Sequence, residues 1–256
     1  MTAQNAILIF CASAIGGVLN AVAGGGSFLS FPAILFTGVP PIPANATNSV
    51  AVWIGVLASS GAYRKRLNVS SRVMIPLAIS SFIGGGIGAY FLLHTPAKTF
   101  LRLLPWLMLA ATLLFMFGGR LIRRLRISID KAPSTSALAA ATVFAFLVAI
   151  YGGYFGGGIG IVTLAMFAAL GMNDIHAMNA FKLVLNSLIN GIAVAAFVLA
   201  GAVLWKQAAI MTAGGVIGGY FGAHYAQKLP APLVRALVIA VGVAVTTYYF
   251  WKSYHG

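Results

Sequence analysis

Long apolar runs alternate with short polar breaks along the whole chain. Ten apolar stretches are present, near residues 6–23, 27–39, 46–63, 73–94 and 100–119, and again near 137–155, 158–171, 178–200, 206–226 and 232–251. A helical membrane crossing needs about 20 apolar residues. The second stretch of each series is clearly shorter than that. The pattern therefore predicts an all-α polytopic membrane protein in which two elements are too short for a comfortable perpendicular crossing.

The two series match each other in order and spacing. A shift of 133 residues places four glycine or alanine positions and one arginine on their equivalents: Gly24 on Gly157, Gly25 on Gly158, Gly38 on Gly171, Ala44 on Ala177 and Arg102 on Arg235. These ordered matches predict two homologous membrane repeats, 1–119 and 137–256, joined by a basic cytoplasmic linker at 120–136. Duplicated halves are common in secondary transporters.

Composition and charge agree with a membrane protein. Hydrophobic residues make up 61% of the 256 residues and charged residues only 7%, with 16 Lys and Arg against 2 Asp and Glu. Soluble domains carry about a quarter charged residues. The basic residues cluster between apolar runs, at Arg64, Lys65, Arg66 and Arg72 and at Arg120, Arg123, Arg124, Arg126 and Lys131. Cytoplasmic loops of membrane proteins have this bias, so nucleic acid is not an expected partner.

The number of crossings per half decides how the two halves are oriented. If the glycine-broken pair at 6–39 is a re-entrant hairpin or two full crossings, each half crosses three or five times, and the second half is inverted. If only the first member crosses, the count is four and the halves are parallel. The loop at 64–72 contains four basic residues, whereas the equivalent loop of the second half, near 201–206, contains only Lys206. This loss favours inverted repeats, because the second loop then faces outward.

The beginning of the chain contains two further features. The first residues lack a basic region, so we expect a first membrane element and not a cleaved signal peptide. Cys11 is the single cysteine, which excludes a disulfide within the chain. It is predicted to be a small buried hydrophobic residue.

A glycine-rich break precedes each short stretch. The breaks contain Gly24, Gly25 and Gly26 in the first half and Gly156, Gly157 and Gly158 in the second. Unpaired backbone groups at membrane depth persist only inside protein or beside a wet cavity. A helix that restarts there offers free N–H groups and a positive dipole end to an anion. The alternative is close helix packing, which we prefer for Gly214, Gly215, Gly218, Gly219 and Gly222 because of their four-residue spacing.

Polar side chains gather beside the breaks. Asn179, Lys182, Asn186 and Asn190 are three or four residues apart and share one helix face. An ionisable residue inside a membrane span indicates a functional site, and we interpret Lys182 as an anion anchor. The alternative is that its amine reaches the membrane interface. For Asn45 and Thr47, the alternative to a site role is helix capping.

Catalytic and metal-binding patterns are not found. The two acids, Asp130 and Asp174, lie in the basic linker and in a turn, and the four histidines are scattered. No Ser-His-Asp set, HExxH motif or phosphate-binding loop is present. We therefore expect no enzyme activity, no catalytic residue, no metal site and no cofactor.

The first motif resembles that of the TauE/SafE family of sulfite exporters. It runs from Gly16 through Ala23-Gly24-Gly25-Gly26-Ser27-Phe28, Pro32 and Gly38-Val39-Pro40-Pro41 to Ala44 and Thr47-Asn48. A degenerate copy runs from Gly152 to Lys182, where Ala180 and Phe181 replace the expected Thr-x pair. The resemblance implies transport of small anions, such as sulfite or sulfoacetate, across the bacterial inner membrane. It also implies that the glycine motifs line the central site.

Together these observations predict a secondary transporter that alternates access around a midplane site. The predicted substrate-binding residues are Asn20, Gly24, Gly25, Gly26, Ser27, Thr47, Asn48, Gly156, Gly157, Gly158, Asn179, Lys182 and Asn186. The expected partners are a small anion and the lipid bilayer. The sequence leaves the oligomeric state undecided, and a homodimer is one of the alternatives. The alternatives are an anion channel of the same architecture and a membrane scaffold without transport, which would have a dry, well-packed interior.

Overall fold

The computed structural model describes residues 1–23, 26–63, 69–125, 134–172, 174–225 and 231–255. Within these ranges the chain is helical and has no strand. The helices are α1 Ala3–Ala23, α2 Ser27–Phe36, α3 Pro41–Tyr63, α4 Ser71–His94, α5 Ala97–Leu125, α6 Thr135–Tyr154, α7 Ile159–Ala169, α8 Ile175–Leu199, α9 Trp205–Tyr225 and α10 Ala231–His255. Each predicted apolar stretch corresponds to one of them, so the all-α prediction is confirmed.

Helix length separates spanning elements from half-length ones. Among the described residues, four segments are long and apolar enough to cross a membrane: Ala3–Asn20, Ser71–His94, Thr135–Tyr154 and Ala177–Leu199. By contrast, α2 has 10 residues and α7 has 11. At about 1.5 Å per residue they extend about 15 Å, which is half of a hydrocarbon core about 30 Å thick. The chain is thus a multi-pass membrane protein with two half-length helices.

Glycines bring two helix pairs into backbone contact. On α9, a methyl group added at Gly218 would collide with Ala14 of α1, and one at Gly214 would collide with Phe10. On α4, a methyl group at Gly84 would lie 2.6 Å from the carbonyl oxygen of Phe146 on α6. These approaches are too close for any side chain, so the packing interpretation is confirmed for Gly214 and Gly218.

Pairs of contacts define the directions of the packed helices. Phe10 faces Gly214 and Ala14 faces Gly218, so α1 and α9 run parallel. Gly84 faces Phe146 and Gly88 faces Ile150, so α4 and α6 are also parallel. On α5 and α10 the order is reversed. Thr112 contacts Gly242, whereas Trp106 lies edge-on to Phe250 with ring centroids 5.1 Å apart, so these two helices are antiparallel.

A buried aromatic cluster joins the two halves of the chain. Phe31 of α2 packs edge-to-face with Phe100 of α5 and with Phe155, which directly follows α6, at centroid distances of 6.4 and 5.8 Å. Phe167 of α7 stacks on Phe181 of α8 at 4.7 Å. Edge-to-face and offset arrangements are the favoured geometries of aromatic pairs. Phe31 and Phe167 therefore hold the two half-length helices against neighbouring elements.

The burial predicted for Cys11 is wrong. Its side chain is exposed on α1. The neighbouring Ile7 and Ile15, each four residues away, are also exposed, at 64% and 49%. This face of α1 has the apolar surface that contacts lipid in a membrane protein, whereas the glycine face packs against α9. Both faces are apolar in sequence, so hydrophobicity alone does not distinguish them.

Candidate functional site

A cavity of about 420 Å³, measured to its open mouth, lies between α1, α2, α3 and α9. Its polar lining comes from Ser13 and Asn20 of α1 and Ser30 of α2, beside Gly26 at the break. The remaining described lining residues are small or apolar, namely Gly16, Gly17, Ala51, Val52, Gly55, Met211, Gly215 and Gly219. None of the described lining residues carries a charge.

Glycine positions form this cavity. The chain turns back after α1, so that Gly26 approaches Gly16, and a methyl group at Gly16 would lie 2.8 Å from the Gly26 carbonyl oxygen. On the opposite side, Gly215 and Gly219 of α9 face α1 without filling the space. These two glycines therefore line the cavity, so the packing interpretation accounts for only part of their role.

Ser30 and Asn48 form a buried hydrogen-bonded pair at the cavity wall. Ser30 Oγ donates to Asn48 Oδ1 at 2.6 Å, and the Gly26 carbonyl oxygen is a second acceptor at 3.2 Å. Ser30 is 4% exposed and Asn48 is 2% exposed. Asn48 therefore lies behind Ser30 and fixes the direction of its hydroxyl group.

Ser13 differs from Ser30 because its hydroxyl group is unpaired. The residue is 3% exposed, and its Oγ has no hydrogen-bond partner among the described residues. A buried hydroxyl group without a partner costs about 1–3 kcal/mol. Since Ser13 lines the cavity, a molecule inside the cavity is the natural partner for this oxygen.

Thr47 and Asn45 connect α3 to the second half of the chain. Thr47 Oγ1 accepts a hydrogen bond of 3.0 Å from the backbone N–H of Leu204, just before α9. Asn45 Nδ2 donates to the carbonyl oxygen of Tyr154, at the end of α6, also at 3.0 Å. Because α3 begins at Pro41, neither side chain caps its own helix, so that alternative is wrong. Both bonds fix distant backbone groups.

The second break is enclosed by protein. Gly156 and Gly158 have φ of +82° and +77°, values that L side chains rarely adopt. Tyr151 donates its hydroxyl proton to the Gly157 carbonyl oxygen at 2.7 Å. A methyl group at Gly158 would lie 3.5 Å from Ala111 of α5. The Tyr151 hydrogen bond satisfies one carbonyl group of the freed backbone, as a break at membrane depth requires.

Lys182 lies on α8 beside the start of α7. Its Nζ donates to Asn179 Oδ1 at 2.9 Å. A methyl group at Gly160 would lie 3.4 Å from Lys182 Cδ and 3.6 Å from Asn186 Nδ2. Asn186 is 8% exposed, and its Oδ1 has no partner among the described residues. The predicted polar face of this helix therefore packs against the glycine at the start of α7.

The predicted site residues do not all converge on one cavity. Asn20 and Gly26 line it, and Asn48 supports it from behind. Ser27 is half-buried at the start of α2, outside the cavity lining. Thr47 contacts the α8–α9 connection. The residues of the second half lie at the second break or along α8: Gly156, Gly157, Gly158, Asn179, Lys182 and Asn186. Gly24, Gly25, the basic cluster 64–66 and residues 126–133 of the linker lie outside the described residues.

Ser13 and Ser30 line the cavity but were not among the predicted site residues. Their spacing contains a usable signal. Ser13, Gly16, Gly17 and Asn20 are separated by three, one and three residues, which places them on one face of α1. Small and polar residues on a single face of an apolar helix indicate a wet or tightly packed surface.

The described residues offer no metal site. Within the ranges that could be searched, no group of three or more His, Cys, Asp or Glu side chains is close enough to hold a metal ion. The cavity instead offers neutral hydrogen-bonding groups and the start of a helix, an arrangement suited to a small polar solute.

Comparison with known proteins gives consistent results. The model of the family described as "Sulfite exporter TauE/SafE" matches residues 9–249. A probable membrane transporter protein of Haemophilus influenzae is 30% identical over 240 residues, covering 93% of this chain and 92% of that protein. The probable membrane transporter protein YfcA of Escherichia coli K12 is 26% identical over 251 residues, covering 97% and 90%. No solved structure matches the chain significantly.

The family match covers both halves of the chain, both breaks and the cavity. The two relatives are named as transporters, and their alignments extend over almost their whole length. The chain therefore belongs to the TauE/SafE family, and it is a membrane transporter and not an enzyme.

Proposed function

We propose that this transporter is a carrier of small anions, among them sulfite, sulfoacetate and related sulfonates, and that the cavity beside Gly26 is its substrate site. The observation that carries the proposal is a cavity bordered by a broken helix and lined by Ser13, Asn20 and Ser30. Its described lining contains no carboxylate that would repel an anion. The printed name of the matching family, sulfite exporter, supports this substrate class.

The chemistry of the lining suits an oxyanion. Sulfite and sulfonate oxygens accept hydrogen bonds, and hydroxyl and amide groups such as those of Ser13 and Asn20 can donate them. The start of α2 adds the positive end of a helix dipole, which favours negative charge. This half of the site therefore attracts an anion through neutral donors and the helix dipole, without a full positive charge in its described lining.

The architecture that we propose is a pair of inverted repeats, 1–119 and 137–256, joined by the cytoplasmic linker 120–136. The contacts support this arrangement. The parallel pair α1 and α9 has its counterpart in the parallel pair α6 and α4, and the counterpart helices α5 and α10 are antiparallel. In inverted-repeat carriers the halves exchange conformations and expose the site alternately to each side. The bacterial membrane transporters among the relatives support placement in the bacterial inner membrane.

Lys182 is the proposed anchor of the second half of the site. It is a partly buried cation inside an apolar span, and its amine is oriented by Asn179. In the alternate conformation, we expect the equivalent region of the second repeat, between α7 and α8, to receive the anion. A charge-assisted hydrogen bond contributes about 1.5–3 kcal/mol, so its loss corresponds to about tenfold or more in affinity.

The test is anion flux into proteoliposomes that contain the purified protein. We expect Lys182→Met to reduce sulfite uptake by about tenfold or more while the protein remains monodisperse in detergent. Lys206→Met, which removes an exposed lysine at the start of α9, is the matched control and should not change uptake. Lys182→Arg keeps the charge and should retain part of the flux. Equal uptake by Lys182→Met and Lys206→Met would remove Lys182 from the site.

A carrier and a channel of the same architecture differ in counterflow. Vesicles preloaded with unlabelled anion accumulate labelled anion transiently through a carrier, because the loaded protein exchanges one molecule for another. Through a channel, labelled and unlabelled anions equilibrate independently, so the labelled anion does not accumulate. Absence of counterflow together with rapid flux would favour the channel.

A further inference from the structure

The two serines of the cavity have opposite hydrogen-bonding capacities. Ser13 of α1 is buried with no partner for its Oγ among the described residues. Ser30 of α2 directs its hydroxyl proton to Asn48 Oδ1 at 2.6 Å. Both residues line the same cavity. Ser13 is therefore free to donate a proton to a bound molecule, whereas Ser30 already donates its own within the wall.

The role of Ser30 as an acceptor towards the cavity does not depend on the orientation of the Asn48 amide. A hydroxyl group has one proton and two acceptor lone pairs. If the Asn48 amide were turned, its nitrogen would donate to Ser30, and the Ser30 proton would pass to the Gly26 carbonyl oxygen at 3.2 Å. In both arrangements the hydroxyl of Ser30 can only accept a hydrogen bond from the cavity.

Ser13 as a donor and Ser30 as an acceptor together specify which hydrogen-bonding groups a ligand of this cavity must carry. We propose that the cavity prefers small anions that carry a hydrogen-bond donor beside the charged group, and that Ser30 is the residue that accepts the hydrogen bond from this donor. The inference rests on the proposed anion transport. An oxygen of the anion accepts from Ser13, and a hydroxyl group of the same molecule donates to Ser30. Sulfite protonated on oxygen and hydroxyl-bearing sulfonates satisfy both serines, whereas an alkyl sulfonate offers no donor to the free acceptor lone pair of Ser30.

The expected discrimination follows from the cost of an unpaired buried acceptor. A site built to bond a hydroxyl group rejects the analogue that lacks it, because its own polar group then loses water without gaining a partner. For one neutral hydrogen bond we expect a preference of about tenfold. Ethanesulfonate and 2-hydroxyethanesulfonate form a suitable pair, because they have the same charge and differ by one hydroxyl group.

The experiment measures how each sulfonate competes with labelled sulfite for uptake into proteoliposomes at one fixed pH. The wild type should be inhibited by 2-hydroxyethanesulfonate at about one tenth of the ethanesulfonate concentration. In Ser30→Ala this ratio should fall towards one, and Ser30→Thr, which keeps the oxygen, should restore it. Ser13→Ala should weaken both inhibitors equally and leave their ratio unchanged. Ser71→Ala, at an exposed serine of α4, is the control.

The outcomes separate the inference from the transport function. A wild-type ratio near one, no competition by either sulfonate, or an unchanged ratio in Ser30→Ala would overturn the inference while sulfite uptake still stood. If Ser30→Ala does not fold, the wild-type ratio and Ser30→Thr decide the question. No flux of sulfite or of either sulfonate in the wild type would contradict the proposed function itself.

Discussion

The side chain of Thr47 offers a direct test of whether a residue of the family motif binds substrate or holds the fold. Thr47 is fully buried, and its Oγ1 accepts the hydrogen bond of Leu204 N–H at 3.0 Å. Thr47→Val replaces the hydroxyl by a methyl group of similar size. The substitution therefore removes the acceptor and leaves the backbone N–H of Leu204 unpaired, with little change in packing volume.

The expected cost can be worked from this geometry. A buried donor left without a partner costs about 1–3 kcal/mol. For a chain of this length, each kcal/mol lowers the melting temperature by about 2–4 °C, so we expect the melting temperature of Thr47→Val to be lower by roughly 2–12 °C. Thr47→Ser keeps the oxygen and should therefore retain most of the stability that Thr47→Val loses.

A matched control is available on α6. Thr142 is half-buried and donates its hydroxyl proton to the Leu138 carbonyl oxygen at 2.8 Å, which is a bond within its own helix. Thr142→Val removes a hydroxyl group but leaves no buried backbone group unpaired, because that carbonyl still accepts from the helix. We expect a change within about 0.5 kcal/mol.

The assay is thermal unfolding in detergent, followed by intrinsic tryptophan fluorescence. Trp53 lies on α3, and Trp205 directly follows Leu204, so two of the reporters are close to the perturbed bond. The reasoning is refuted if Thr47→Val melts no earlier than Thr142→Val, or if Thr47→Ser melts as early as Thr47→Val. Unchanged stability with impaired sulfite uptake would instead support direct substrate binding by Thr47.

Two further predictions concern the interfaces between helices, and both are measured by the same unfolding assay. Gly84→Ala places a methyl group 2.6 Å from the Phe146 carbonyl oxygen, so overpacking of about 1–3 kcal/mol should outweigh the gain of about 1 kcal/mol in helix propensity. Gly86→Ala meets only Ile192 Cγ1 at 3.4 Å and should be neutral or stabilising, and equal melting of the two variants would contradict the close-packing argument. Trp53→Phe removes the 3.1 Å hydrogen bond from Nε1 to the Ser187 carbonyl oxygen and should cost about 1 kcal/mol. Trp205→Phe, at a 61% exposed position, should cost less, and the reverse order would exclude Trp53 as a stabilising contact between α3 and α8.

The amino-acid sequence by itself determined the membrane class, the positions of the helices in the described residues and the two half-length helices. These properties are local, because the length of an apolar run decides whether it can cross a bilayer, and consecutive glycines mark where a helix is interrupted. Both half-length helices, α2 and α7, were predictable for this reason. The unusual position of Lys182 was also visible, since a cation in an apolar run stands out without knowledge of its neighbours.

Only the tertiary structure decided which residues face the cavity, which face lipid and which hold backbone groups. In a helix that is apolar on all sides, hydrophobic periodicity does not identify the inner face, so Cys11 was assigned to the wrong side. Thr47 and Ser30 are both polar residues in apolar helices. Thr47 nevertheless accepts a hydrogen bond from Leu204, whereas Ser30 lines the cavity. The difference arises from contacts between segments far apart in the chain, where glycines allow backbones to meet. Hydrogen-bond partners that lie 157 residues apart, as for Thr47 and Leu204, are set by that packing and not by local sequence.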